Sequence, residues 1–413
     1  MNNIKVAFLL MKGFDGCGVS RFAIEHQNEL VRLGNICDIY ANGDSHYIRQ
    51  KSHTDANVIY YDDFCSLDFS SYDIVILNSY PKEFDSRQLE HYKNICGIKV
   101  AMMHEILMQN VNRISHVWDW IDASDIVSSF SIEMDFVKSL FSRNKDANYF
   151  SFKMPMNTSY MSSLYTNSIN NDRENSLVYF GRWTTMKDPS RLFSYRKLDT
   201  SIKYRMIGIE RSVGASFDIF NNELCACPMK ISKRDSDKLV YETFISNSSQ
   251  YFDYDMSDDQ VWVFPPIERM AALEILSKSM FGCSFYSLNN NRINNLGNRM
   301  EFTQIEMSCI CLPVFDIDWG KNTIDRETGL SFYELGNNAI YSDTNNLEDS
   351  LEEMKYLVKH KEEYETRRKN IFDLVCKNYN EDNIISFYDN ILNRNFEKIR
   401  NKNKSLFDIY KSI

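Results

Sequence analysis

No run of 18 or more apolar residues occurs in the 413-residue chain, so a membrane-spanning helix is not expected. No C-x-x-C pair occurs among the ten cysteines, which removes the usual framework of a structural zinc site. Cys225/Cys227 and Cys309/Cys311 form C-x-C instead, and the second pair lies in an apolar, strand-like run that reads as core. Thiols used this way fit a reducing cytoplasm. The N-terminal MNNIKVAFLL is followed by no small-residue cleavage site and does not read as a signal peptide. A basic excess is missing too. The net charge of −10 argues against a generic nucleic-acid coat, although local basic clusters can still hold phosphates. There is no internal repeat, Pro and Gly are few, and Tyr, Phe and Asn are abundant.

A hydrophobic fraction of 43% suffices for sizeable cores, and the length favours two domains. The most informative stretch is Met11–Phe22, MKGFDGCGVSRF. It follows the apolar run Ile4–Leu10 and precedes a helical pattern with apolar Val19, Phe22, Ala23, Leu30 and Val31. Strand, glycine turn and helix in that order suit a phosphate or the edge of a sugar, because a helix start offers free N–H groups and a positive dipole end. The spacing is neither G-x-G-x-x-G nor a Walker loop, and the glycines alone equally fit a plain first βα turn.

Strand patterns at Ile4–Leu10, Asn35–Ala41, Val58–Tyr61, Ile74–Ser79, Lys99–His104 and Asp125–Phe130 alternate with helical ones, as in a parallel sheet covered on both faces. Asn157–Asn175 reads as a polar linker. The pattern then restarts at Ser176–Phe180, followed by strands at Tyr204–Glu210, Val261–Phe264, Phe281–Leu288 and Cys309–Phe315. Glu223–Asp258 reads as an insertion of loops, Leu347–Tyr379 as one long helical stretch and Ile384–Phe396 as a last helix. The expected fold is α/β, with an N-terminal Rossmann-like domain over 1–160, a C-terminal one over 161–380, and a last helix in 381–413 that sequence alone does not place against either, crossing back to the first being one arrangement.

Four places can carry chemistry. Gly181-Arg182-x4-Lys187 sets a basic pair beyond a strand end, where it can neutralise a departing diphosphate or be an ordinary surface pair. Glu301 and Glu306 flank Thr303 at a helix start, suited to sugar hydroxyls or simply to the helix dipole. His104 and Glu105 end a strand, where active groups of such sheets collect, although a lone His is more often structural. Basic residues cluster at Lys230, Lys233, Arg234 and Lys238, at Arg191, Arg196 and Lys197, and at Arg292 and Arg299. Each cluster reads as a solvated face or a nucleic-acid contact. Three D-x-D triplets, Asp316/Asp318 among them, are the minority case for a metal, and no metal ligand is assigned.

The order of these features resembles the retaining glycosyltransferases of GT-B fold. A narrower resemblance is to the T-even phage DNA α-glucosyltransferase family, carried by GFDGCGVSRF, GRWTTMK, GIERS, LSKSMFG and MEFTQIEMSCICLPVF in the same order. That resemblance implies transfer of a sugar from UDP-glucose or another UDP-sugar to 5-hydroxymethylcytosine in double-stranded phage DNA, with retention, by a monomer in the cytoplasm of an infected bacterium. It implies that Arg182 and Lys187 hold the diphosphate, and that Glu306 meets the ribose and Glu301 the nucleotide or sugar. Gly16, Cys17, Gly18 and Val19 would form the loop near the phosphates, with His104 beside the sugar. Gly181, Glu210, Arg211 and Ser212 match second-domain loops. Where the family has His-Asp-His, this chain has His104-Glu105-Ile106, which opens the alternative of a pentose donor such as UDP-arabinose. A GT-B enzyme acting on a polysaccharide or small acceptor, and a non-catalytic two-lobed sugar-binding protein, are the competing readings. A divalent metal requirement is left open.

Overall fold

The computed structural model describes residues 4–11, 13, 18–43, 57–81, 83–104, 115–129, 148–151, 154–169, 171–181, 190–207, 229–235, 238–243, 261–263, 269–285, 300–317 and 332–394. Two parallel sheets organise them. The first contains β1 (Lys5–Leu10), β2 (Ile36–Asn42), β3 (Val58–Tyr61), β4 (Ile74–Ser79), β5 (Ile98–Met103), β6 (Ile126–Ser129) and β7 (Asn148–Ser151), in the order β3-β2-β1-β4-β5-β6-β7. The strand order reverses between β1 and β4, which pair in parallel from Val6–Ile74 onward. Such a reversal opens a crevice at the strands' carboxyl ends. Helix α1 (Gly18–Arg32) follows β1 and borders that crevice. The short strand β7 has no counterpart in the sequence reading: NYFS carries too few apolar residues to stand out, and it is held by pairing with β6.

The stretch read as a linker is instead ordered. Thr158–Ile169 forms a helix, α4 once α2 (Ser86–Lys93) and α3 (Ser115–Asp122) are counted, and β8 begins at Glu174. Its polar residues hide a buried stripe of Met161, Leu164 and Ser168. Arg173 donates to the carbonyls of Ser168 (2.9 Å) and Ile310 (2.7 Å), and Arg368 donates to Ile310 O at 2.8 Å. Two guanidinium groups thereby satisfy carbonyls that helix ends leave open.

The second sheet contains β8 (Glu174–Phe180), β9 (Lys203–Ile207), β12 (Val261–Val263), β13 (Ser279–Ser284), β14 (Leu312–Asp316) and β15 (Ile340–Ser342). Its order is β12-β9-β8-β13-β14-β15, with every pairing parallel. Here the reversal falls between β8 and β13, and Gly181 directly follows β8. The segment read as loops contains an antiparallel hairpin, β10 (Met229–Asp235) with β11 (Lys238–Thr243). Its apolar residues, Met229 and Ile231 on one strand and Leu239, Val240 and Tyr241 on the other, form runs too short to stand out between charges.

Helices α5 (Ser190–Leu198), α6 (Arg269–Ser277) and α7 (Phe302–Ile310) flank this sheet. Residue 302 and residues 304–310 of α7 are buried, so it is a central helix enclosed on all sides. Cys309 belongs to α7 and Cys311 ends it, rather than both lying in a strand. Both thiols are buried as expected of core, and burial pushes them up, Cys311 to about 12. The long helical stretch is two helices, α8 (Leu347–Lys359) and α9 (Lys361–Asn378), broken at His360. The last helix, α10 (Asp382–Arg394), sets Phe387 against Phe22, His26 and Phe150 from the first sheet's side.

Candidate active site at the two sheet crevices

The site grows from the end of β4. Asn78 is a polar residue at the close of the apolar run IVILNS and is 1% exposed. Its Nδ2 donates to Val19 O at 2.8 Å, and its Oδ1 lies 2.6 Å from His104 Nε2. One amide therefore ties the first turn of α1 to the imidazole that follows β5. Phe22 meets His104 edge-on, with ring centroids 5.3 Å apart.

His26 lies one turn further along α1 and is fully buried. Its ring is 4.0 Å from Phe22, and its Nδ1 makes a 3.1 Å hydrogen bond with the Tyr388 hydroxyl. Burial, aided by His104, holds its pKa well below the ordinary imidazole value. A second chain of contacts leaves the same helix. Arg21 pairs with Glu25 one turn away, and its guanidinium stands 5.5 Å over the Tyr160 ring. The Tyr160 hydroxyl donates to Glu306 Oε1 at 3.0 Å.

Glu301, Thr303 and Glu306 come together on the first turns of α7. Glu301 is the N-cap, and its N–H donates to Gln304 Oε1 at 2.8 Å. Glu306 is fully buried, whereas Glu301 and Thr303 are partly exposed. Thr303 Oγ1 is enclosed and has no hydrogen-bond partner. A Cβ built on Gly18 would stand 4.0 Å from Phe302 Cδ2, so the N-termini of α1 and α7 adjoin. Two positive helix ends meeting at one place suit an anionic ligand.

Among the expected residues, Gly18, Val19, His104, Glu301, Thr303 and Glu306 are thus brought to one region, and Gly181 lies at the second crevice, its N–H bonded to Ile207 O. Lys230, Lys233 and Arg234 lie on β10 of the hairpin. Gly16, Cys17, Glu105, Arg182, Lys187, Glu210, Arg211, Ser212, Arg292 and Arg299 lie outside the described residues. One expectation needs correction. Arg191 is not part of a solvated basic face: it is buried, 2.5 Å from Asp316 Oδ2, with its guanidinium 4.7 Å over Phe285. Asp316 is accordingly committed to an ion pair rather than offered to a metal. Among the described residues no group of three or more His, Cys, Asp or Glu could hold a metal ion.

Asn78 and Tyr160 were not singled out from sequence, and Phe22 only as an apolar residue of the first helix. A polar residue at the end of an apolar strand was the available signal for Asn78. Tyr160 fell in the stretch taken for a linker.

No protein-family model matches the chain. The DNA alpha-glucosyltransferase of Enterobacteria phage T4 is 23% identical over 410 residues, covering 90% of this chain and 95% of that enzyme. A solved α-glucosyltransferase in complex with UDP-glucose and DNA containing an abasic site superposes with a TM-score of 0.73. It is 19% identical and covers 95% of this chain and 100% of its own. Anabaena Alr3699/HepE in complex with UDP and glucose gives 0.57 at 10% identity, covering 95% of this chain and 100% of its own. The fold is GT-B. The resemblance to the T-even phage enzymes is borne out across nearly the whole chain, and the two crevices are those of the paired GT-B sheets.

Proposed function

We propose that this chain is a retaining glycosyltransferase that moves a sugar from a UDP-sugar to the hydroxymethyl group of 5-hydroxymethylcytosine in duplex DNA, in the cytoplasm of an infected bacterium. The observation that carries the reading is the similarity to the T4 enzyme over 90% of the chain. The convergence of Gly18, His104, Glu301 and Glu306 at adjoining helix starts supports it.

In this reading Arg182 and Lys187, with Gly181 behind them, hold the diphosphate. Charge grows there as the glycosidic bond breaks, so stabilising it is the main catalytic contribution. Gly16 and Cys17, with Gly18 and Val19 at the start of α1, serve the phosphates and sugar. Glu306, oriented by Tyr160, accepts from the ribose; Glu301 and Thr303 face the nucleotide or sugar. Glu210 and Arg211 border the donor from a second-domain loop. The acceptor hydroxyl attacks the anomeric carbon from the face that the diphosphate leaves. A C–O bond to the acceptor forms as the C–O bond to UDP breaks, and the hydroxyl proton passes to the departing phosphate oxygen. His104 and Glu105 position the reacting groups.

A base stacked in duplex DNA must leave the helix to reach such a crevice, at a cost of roughly a few kcal/mol. Lys230, Lys233, Arg234, Arg292 and Arg299 are assigned to the DNA backbone. Among the described residues no helix is long and apolar enough to cross a membrane. The sugar is set near Glu105 and Ile106, where the side chains depart from the family's His-Asp-His.

The test is transfer to duplex DNA carrying 5-hydroxymethylcytosine, with UDP-glucose and UDP-arabinose in separate reactions and mass spectrometry of the digested nucleosides. A hexose increment is expected if glucose is the donor sugar and a pentose increment if arabinose is. No increment with either donor, while UDP still binds, would overturn the DNA reading in favour of another acceptor.

A further inference from the structure

Val19 O is a backbone carbonyl and can only accept a hydrogen bond, so the atom of Asn78 facing it at 2.8 Å is the amide nitrogen. The other end of that amide, Oδ1, can only accept, and it faces His104 Nε2 at 2.6 Å. The proton between them must therefore be on Nε2. A neutral imidazole with its proton on Nε2 has its acceptor lone pair on Nδ1. The same amide is 1% exposed and anchored on α1, so it has little freedom to turn over. Phe22 holds the His104 ring from the side, and His26 backs Phe22 in turn.

From this geometry we propose that Asn78 is a positioning residue for the transfer reaction. It holds His104 in the Nε2–H tautomer and fixes it to the first turn of α1, so that Nδ1 is the atom that accepts from a hydroxyl of the donor sugar. The catalytic consequence rests on the glycosyltransferase reading; the tautomer itself does not. Asn78 touches no substrate in this scheme and acts only through His104 and Val19.

Two variants separate the two bonds. Asn78→Leu removes both. Asn78→Asp keeps an acceptor for Nε2–H and loses the donor to Val19 O. The decisive measurement is a long-range proton–nitrogen spectrum of protein labelled with 15N-histidine, with the His104 signals assigned by His104→Gln. The wild type is expected to show His104 protonated at Nε2 alone, Asn78→Asp to keep that pattern, and Asn78→Leu to populate both tautomers. In transfer assays Asn78→Leu is expected to lower kcat by roughly 10- to 100-fold, the scale of a misplaced reacting group, with a smaller change in KM for the UDP-sugar. Asn78→Asp should recover part of that loss.

The inference is overturned if wild-type His104 carries its proton on Nδ1, if Asn78→Leu leaves the tautomer unchanged, or if it leaves kcat unchanged. Should Asn78→Leu fail to fold, Asn78→Asp decides: loss of the Nε2–H pattern there overturns the proposal and its retention supports it. Absence of transfer by the wild type to any acceptor would sink the functional reading and the catalytic half of this one, while the spectrum would still decide whether Asn78 sets the tautomer.

Discussion

The Tyr160 hydroxyl donates to Glu306 Oε1 at 3.0 Å, and the Arg21 guanidinium stands 5.5 Å over the same tyrosine ring. Arg21 belongs to the helix after the first glycine turn, and Glu306 to the central helix beside the second sheet. Tyr160 thus connects the two halves at the candidate donor site. Tyr160→Phe removes one hydrogen bond to a buried carboxylate, a loss of about 1–3 kcal/mol. If Glu306 holds the ribose, UDP binds several-fold more weakly to this variant while kcat changes less. Calorimetric titration with UDP and the kcat–KM split check this.

The buried pair Arg191–Asp316, 2.5 Å apart, fastens the start of α5 to the end of β14 and so supports the neighbouring crevice. Asp316→Ala leaves a buried guanidinium without its main counter-charge and is expected to destabilise the protein by about 3–5 kcal/mol. The double variant Arg191→Met/Asp316→Leu should recover much of that loss, because it removes both charges. Urea unfolding midpoints of the three proteins are the measurement.

His26 makes stability depend on pH in a defined direction. It is enclosed by Phe8, Phe22, Phe387 and Tyr388, and the charge that acts on it is that of His104. Burial, then His104, lowers its folded pKa well below 6.5. The unfolded chain therefore takes up a proton as pH falls through about 6.5, while the native state does not. Stability is unaffected by this group above that pH and declines below it, until the folded pKa is reached. Thermal midpoints at pH 7.5 and 5.5 should differ more for the wild type than for His26→Gln. Equal slopes would rule out His26 as the cause.

Two glycines of the first turn should respond differently. Gly13 has φ of +95°, and a Cβ there would lie 3.0 Å from Asn42 O. Gly13→Ala is expected to cost about 1–2 kcal/mol, the penalty of a left-handed conformation. Gly18 has no such φ, and its Cβ would make an ordinary 4.0 Å contact with Phe302. Gly18→Ala should leave stability within about 0.5 kcal/mol, and any defect should appear in KM for the donor. Melting curves and donor kinetics on both variants separate the turn's need for glycine from the ligand's.

Gly282 lies inside β13, where a Cβ would approach Met307 Cγ to 2.5 Å and Cys311 Sγ to 2.7 Å. Gly282→Ala is expected to overpack the junction of β13 and α7 and destabilise by roughly 1–3 kcal/mol. Chemical denaturation measures it, and loss of UDP binding in parallel would show that α7 had moved.

The chain's local pattern determined that two parallel sheets form, where most strands and helices lie, that a glycine turn follows the first strand and that a helix start precedes a late one. Each of those follows from spacing within a dozen residues or so: apolar runs for buried strands, a 3.6-residue period for helices, glycine between them. The helix Thr158–Ile169 escaped that reading because Ser, Thr and Asn fill most of its exposed side, and it is held by contacts from afar, Arg368 at Ser168 Oγ and the stacking of Tyr165 on Phe372. The hairpin at 229–243 escaped for a related reason, since its apolar runs are short and set between charged residues. Only the tertiary structure decided that Asn78 meets His104 across 26 residues, that Tyr160 meets Glu306 across 146, and that Arg191 is spent on Asp316. Such pairs depend on which strands adjoin and on how far each helix crosses the sheet. A period reports which face of an element is buried, not what it is buried against.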